Sequence, residues 1–269
     1  MLAVWQAADD IEVFESGWTF DHFYPIFSDP TGPCLEGWVT LTALAQATTR
    51  LRVGVLVTGI HYRHPAVLAN MASTLDIVSG GRLELGIGAG WNEEESGAYG
   101  IALGTVRERF DRFEEACEVL TGLLSQETTS FDGSFYRLTE ARNEPKGPQR
   151  PHPPICIGGN GEKRTLRITA RYADHWNFVG GPPEEFARKR DVLAAHCADV
   201  GRDPKDIMLS AHVRLNPERD YDRVIDQAAA LGAEGLDMAI VYLPPPYDPA
   251  VLEPLAQKIR ESGLASKDG

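Results

Sequence analysis

The chain has 269 residues, 43% hydrophobic and 24% charged, enough for a large α/β domain with a sizeable core. Its net charge of −13 excludes nucleic acid or an anionic membrane as the main partner, because both need a positive field. No apolar run approaches the roughly 20 residues that span a bilayer, and MLAVWQAADDIEVF carries acids where a signal peptide would be basic, so a cytoplasmic location is expected.

In chain order, Met1–Phe14 reads as the end of a helix through Leu2, Trp5 and Ala8, and GWTFDHF (Gly17–Phe23) as a strand. A second strand is predicted over Leu51–Thr58, then a helix over Pro65–Ser79 closed by Gly80–Gly81. Strand Leu83–Gly88 follows, and Glu93–Glu95 open the next helix, where acids favour the helix dipole. Val106–Leu124 places Val106, Phe110, Phe113, Cys117, Leu120 and Leu124 on one stripe. Residues 126–154 break this rhythm with a hairpin over Asp132–Gly133 and a proline-rich connector. Strand Ile155–Gly158 leads to a helix from about Glu162. Strands His175–Val179, Ile207–Leu215 and Leu236–Leu243 then alternate with helices Phe186–Val200, Tyr221–Leu231 and Val251–Ser262, each of these stopping at a glycine (Gly201, Gly232, Gly263).

This βα alternation implies a parallel sheet, and seven units favour a TIM-type (β/α) barrel over an open sheet. A closed barrel of this kind has eight strands. Seven are counted here, so either the barrel is seven-stranded or its first strand is missing. The expected organisation is one domain over 1–269, with 126–154 an insertion between the fourth and fifth strands of the barrel.

Cys34, Cys117, Cys156 and Cys197 are far apart and read as small buried residues or free thiols, not a zinc site. His61 and His64 have i, i+3 spacing but no third ligand type nearby, so no metal site is expected. In a barrel the chemistry lies at the C-terminal strand ends. That rule nominates Asp21 and His22, Thr58 and Gly59, Gly88 through Glu93, Gly158–Gly161, and Trp176 with Asn177. A histidine beside an acid suits proton transfer, and serves equally well as a rim hydrogen bond. In ICIGGNGEKRTLRI a buried strand runs into Gly158, Gly159, Asn160 and Gly161 just before a helix. Free N–H groups and Lys163, Arg164 and Arg167 there favour a phosphate. Gly86, Gly88 and Gly90 are spaced G-x-G-x-G, and Trp91 breaks the G-x-G-x-x-G dinucleotide pattern. A cofactor cradle of another kind, an active-site rim and a tight turn remain open for these glycines.

RHPAVLANMASTLDIVSGGRLELGIGAGWNEEE, RFDRFEEACEVL, PHPPICIGGNGEKRTLRITARYADHWN and HCADVGRDP together closely resemble the bacterial luciferase-like family, in the branch that uses the deazaflavin F420. The resemblance runs from about Trp5 to Pro204. It implies a TIM-type barrel with an insertion after the fourth strand and a homodimer, with flavin or deazaflavin lying across the strand ends. The phosphate would sit on Gly158–Gly161, and Gly86, Gly88 and Gly90 would form a strand end kept small for the flat ring. Asp21 and His22 match the pair that lies near the reacting face of the ring, and Thr58 ends a strand where the family often has a bulge with a non-proline cis peptide. The family's first strand is absent here. The sugar-phosphate dehydrogenase branch has a glutamate directly after G-x-G-x-G. Here that position is Trp91, and Glu93 is at best a displaced substitute.

The expected function is therefore hydride transfer between F420 and a small organic substrate. His22, held by Asp21, would be the proton-transfer group, with Glu93 a third candidate. Cofactor contacts are expected from Thr58, Gly88, Ala89, Gly90, Gly158, Gly159, Asn160, Gly161 and Trp176, and Trp91 and Trp176 would form an apolar substrate wall. Two alternatives remain open: an FMN-dependent monooxygenase fed by a flavin reductase, and a non-catalytic flavin-binding protein.

Overall fold

A computed structural model describes residues 1–264. Its elements in chain order are α1 (Leu2–Asp9), β1 (Ser16–Thr19), α2 (Gly37–Gln46), β2 (Arg52–Val55), β3 (Thr58–Gly59), α3 (Pro65–Val78), β4 (Leu83–Gly88), α4 (Glu93–Ala98), α5 (Val106–Ser125), β5 (Thr129–Asp132), β6 (Arg137–Ala141), β7 (Ile155–Gly158), α6 (Thr165–Tyr172), β8 (His175–Phe178), α7 (Pro183–Asp199), β9 (Met208–Arg214), α8 (Tyr221–Ala233), β10 (Met238–Tyr242) and α9 (Leu252–Ser262). The chain divides into two compact units. One comprises Met1–Gly17, Ala47–Arg52 and the described residues from Gly159; the other comprises Trp18–Gln46 and Val53–Gly158. They are called the first and second unit below.

In the second unit the strands pair in parallel around β4. Val53 of β2 lies opposite Leu83, Thr58 of β3 opposite Ile87, and Leu85 opposite Ile155 of β7. All six residues of β4 are buried, which is why its sequence reads as a run without polar alternation. Helix α5 starts on a capping box, Thr105 with Glu108, and buries Phe113, Cys117, Leu120 and Leu124. Hairpin β5–β6 is antiparallel, and the Glu115 carboxylate accepts the N–H groups of Ser134 and Phe135 in its turn. The proline-rich connector is held by buried Asp76, which accepts Gln149 Nε2 at 2.7 Å.

In the first unit β8, β9 and β10 are parallel, with Asn177 opposite Ser210 and Ser210 opposite Met238. Trp176, Phe178, Phe186, Leu193, Val213 and Leu255 belong to its apolar core. Helix α1 is stapled by Asp9, whose carboxylate accepts the N–H groups of Thr49, Arg50 and Leu51.

Each of the seven expected strands is present, with four departures along the chain. β1 stops at Thr19, not Phe23, because residues 21–23 turn to bonds with side chains described below. The run Leu51–Thr58 divides into β2 and β3 around a cis Leu56–Val57 peptide, the non-proline cis bond implied by the family resemblance. Helix α2 was not anticipated; Trp38, Leu41, Leu44 and Ala45 form its buried stripe. Helix α8 runs through Gly232 to Ala233, and Gly235 supplies the left-handed residue instead. Among the described residues no helix is long and apolar enough to cross a membrane.

Candidate active site

The second unit gathers an imidazole, a phenol and a carboxylate around one buried atom pair. Asn92 caps α4 by accepting Glu95 N–H at 3.1 Å, which fixes the first turn of that helix. Glu93 and Glu94 then point to solvent and Glu95 is fully buried. Its Oε2 accepts His22 Nδ1–H at 2.7 Å and the Tyr62 hydroxyl at 2.5 Å, and its Oε1 accepts Phe23 N–H at 2.6 Å. Burial alone would raise the Glu95 pKa. The bonds from Tyr62, Phe23 and His22 outweigh it, and the net shift is downward. The group is therefore a carboxylate at neutral pH. Burial and the bond to Glu95 push the Tyr62 phenol up, so it stays a donor.

A carboxylate on Nδ1 requires that nitrogen to carry the proton in the neutral ring, which leaves Nε2 as the proton acceptor. The exposed indole of Trp91 stands edge-on to His22, ring centroids 5.7 Å apart. The structure thus replaces the expected His22–Asp21 pair with His22–Glu95. Asp21 is buried and held by the fork of Arg63, with Nη2 to Oδ1 at 3.1 Å. Adjacent in sequence, the two side chains are held by different partners, Asp21 by Arg63 and His22 by Glu95, so adjacency does not make a pair. Glu93 is corrected in the same way: its side chain is 79% exposed and reaches only Arg109, at 3.4 Å.

The glycines of the G-x-G-x-G stretch make room for protein. A Cβ on Gly86 would strike the Val55 carbonyl, one on Gly88 would lie 2.9 Å from Val57 Cγ2, and one on Gly90 would enter the His61 ring. Gly90 also has φ +85°, which excludes most side chains. The expectation that a flat ring needs these three glycines is corrected to that extent. Ala89 beside them is half-buried, and Thr58 is buried with its hydroxyl accepting Trp38 Nε1–H at 2.8 Å. His61 shares a 3.2 Å bond between Nε2 and Ser96 Oγ, and its buried Nδ1 has no partner among the described residues. Burial, then the charge of Arg112, lower its pKa to about 4, so it is neutral. His64 instead caps α3 by accepting Ala66 N–H.

At the end of β7 the backbone carries on through Gly158 into Gly159, Asn160 and Gly161. Within the first unit Gly159 N–H bonds the Asn177 carbonyl, and Asn160 clamps the turn after β8 by donating to the Gly180 carbonyl and accepting Val179 N–H. Among the described residues the N–H groups of Asn160 and Gly161 meet no acceptor, and α6 has no side-chain cap. This donor set fits a phosphate, which needs N–H groups and no competing carboxylate. Trp176 is corrected from a wall to a support: it is fully buried, stacked on Phe186, and donates Nε1–H to the Gly159 carbonyl at 2.8 Å.

The sequence gives little sign of Glu95, Tyr62 and Arg63. Three consecutive glutamates are equivalent on paper, and only the register of α4 selects the third.

A family model for luciferase-like monooxygenases matches residues 4–260. The F420-dependent hydroxymycolic acid dehydrogenase of Mycobacterium tuberculosis is 33% identical over 215 residues, 76% of this chain and 55% of that protein. The FMNH2-dependent dimethylsulfone monooxygenase of Pseudomonas putida is 31% identical over 228 residues, 84% of this chain and 58% of that protein. The chain spans 54% to 64% of the length of such curated relatives. Among solved structures, the coenzyme F420-dependent tetrahydromethanopterin reductase of Methanopyrus kandleri superposes with a TM-score of 0.81 at 17% identity, covering 97% of this chain and 94% of that one. That likeness shows the fold to be α/β and TIM-type.

Proposed function

We propose that this chain, which belongs to the luciferase-like monooxygenase family, is an F420-dependent oxidoreductase that uses His22 to move a proton. The observation that carries the reading is the buried Glu95 carboxylate on His22 Nδ1, at 2.7 Å. The deazaflavin would supply hydride transfer. The chain would hold its phosphate on the Gly158–Gly161 turn, supported by Trp176 through Gly159. It would place a small organic substrate near Trp91, and give or take the proton at His22 Nε2. Thr58, Gly88, Ala89 and Gly90 are proposed ring neighbours, with Val57 and His61 as the side chains their smallness admits. Glu95, Tyr62 and Phe23 N–H act through His22 by fixing its tautomer, so they are positioning groups.

FMN as the cofactor is the second reading, favoured by the 84% of this chain that aligns with the dimethylsulfone monooxygenase. Both readings use the same histidine. Titration with F420 and with FMN, followed by intrinsic tryptophan fluorescence, separates them; tighter FMN binding with oxygen-dependent product would reverse the choice. His22→Ala should cut turnover by about 10²–10⁴ with little loss of cofactor affinity. Equal losses in both would remove His22 from the proton-transfer role.

A further inference from the structure

The first unit contains a cavity of about 220 Å³ lined by Gly180, Gly181, His212, Arg214, Arg223 and Gln227. It lies at the C-terminal ends of β8 and β9, beside the turn that Asn160 clamps onto Val179 and Gly180. Its polar side chains are two guanidiniums, an imidazole and an amide, with no carboxylate among the lining residues. In a chain of 39 acids and 26 lysines and arginines, that composition runs against the average.

The nearest carboxylate is that of Glu185, which sits behind the Gly181 backbone, and acids on and beside α8 are engaged elsewhere. Asp220 caps α8 through Arg223 N–H, Asp222 pairs with Lys258, and Asp248 pairs with Arg219. Among the described residues the Arg223 guanidinium has no carboxylate within salt-bridge reach. Arg223 and Gln227 stand one turn apart on α8 and so share a face. The Arg214 guanidinium lies over the Tyr242 ring, 5.6 Å from its centroid, and is thereby oriented. His212 is kept neutral by burial and then by Arg214, with a pKa of about 4, and its ring is bonded to the Tyr242 hydroxyl. Gly180 has φ +125°, and a Cβ there would enter open space, so the cavity is walled on that side by backbone alone.

We infer that this cavity binds a second anionic group, the carboxylate-bearing tail that F420 carries beyond its phosphate and FMN lacks. The assignment rests on the cofactor reading above. Two guanidiniums with an amide and a neutral imidazole suit a flexible polyanion, since forked donors match carboxylate and phosphate alike. The neighbouring Asn160–Gly161 N–H groups would hold the phosphate, so this subsite discriminates between cofactors that share it.

The test uses the full-length chain and its Arg214→Gln/Arg223→Gln variant, both positions being exposed. Inorganic pyrophosphate binding is measured by calorimetry, and F420 and FMN binding by tryptophan fluorescence. The expected result is at least a tenfold loss of pyrophosphate and F420 affinity in the variant, with FMN affinity changed less than threefold. Pyrophosphate bound equally by both proteins, or F420 bound equally tightly by both, overturns the subsite and leaves the cofactor reading standing. Arginine-dependent pyrophosphate binding by a chain that binds no F420 supports an anion subsite and overturns its assignment to that cofactor's tail, along with the F420 reading.

Discussion

Replacing Glu95 with glutamine tests the arrangement at its centre. Glutamine keeps the shape of the side chain and one acceptor oxygen, and puts two N–H donors where the second oxygen stood. If the retained oxygen takes Phe23 N–H, the new amide nitrogen faces His22 Nδ1–H and the Tyr62 hydroxyl, both of which now donate into a donor. Two bonds to a charged acceptor are worth about 1.5–3 kcal/mol each. Tyr62 and His22 can recover part by rotating or changing tautomer, so a net destabilisation of about 2–4 kcal/mol is expected by urea unfolding. The cheapest rescue moves the imidazole proton to Nε2, which removes the acceptor that proton transfer requires. Turnover should then fall by about 10²–10⁴. The decisive readout is ¹⁵N NMR of the histidine rings. His22 should be Nδ1-protonated in the parent and Nε2-protonated in the variant. An unchanged tautomer with turnover within about threefold of the parent would refute the reasoning. The folded Glu95 carboxyl titrates below its unfolded value, so its stabilisation is present above the unfolded pKa and fades as pH falls through the folded one. The stability gap between parent and variant should therefore narrow in acid.

Tyr62→Phe removes one of three donors to Glu95 and should cost about 1–1.5 kcal/mol while leaving the His22 tautomer unchanged; a tautomer change would show Tyr62 to be more than a support. Gly90→Ala forces a methyl into the His61 ring at a left-handed backbone position and should cost about 2–4 kcal/mol, a fall in Tm of roughly 5–10 °C; an unchanged Tm would contradict the packing described. Asp9 titrates at about 2 against 3.8 unfolded: burial raises its pKa, and the N–H bonds from Leu51, Thr49 and Arg50 overcome this. Its stabilisation is present above pH 3.8 and is lost as pH falls towards 2. Allowing for solvent screening, Asp9→Asn should cost about 1 kcal/mol near neutrality and nothing at the acid limit, as followed by denaturant midpoints across pH.

Two of the buried central strands, Leu83–Gly88 and Ile155–Gly158, were legible in the sequence to the residue, and His175–Phe178 to within one. The first two are short runs without clean polar alternation, the pattern expected of parallel strands covered on both faces. Legibility failed wherever a bond from a distant side chain replaced a backbone ladder. Asp21 to Arg63 and Phe23 to Glu95 pull residues 21–23 out of the strand that their composition suggested. The same limit applies to the candidate site. His22 was recognisable as a histidine at a strand end, but its partner lies 73 residues away, and no local pattern distinguishes Glu95 from the two glutamates before it. The G-x-G-x-G spacing was visible and its cause was not, because small residues look the same whether a cofactor or a valine needs the space.

Burial also separates the histidines by what they can do. Desolvation holds His61 and His212 at about 4, so neither changes charge near neutral pH. His64 spends a ring nitrogen on a helix cap, and fully buried His175 is bonded to the Ser210 hydroxyl at 2.6 Å. His196 meets a backbone carbonyl and the exposed carboxylate of Asp199. His22 differs from all of these in meeting a fully buried carboxylate, itself kept ionised by two further donors. The fold thus anchors this imidazole through Nδ1–H and leaves Nε2 as its acceptor, the arrangement that the proposed proton transfer needs and that no burial-neutralised histidine of the chain offers.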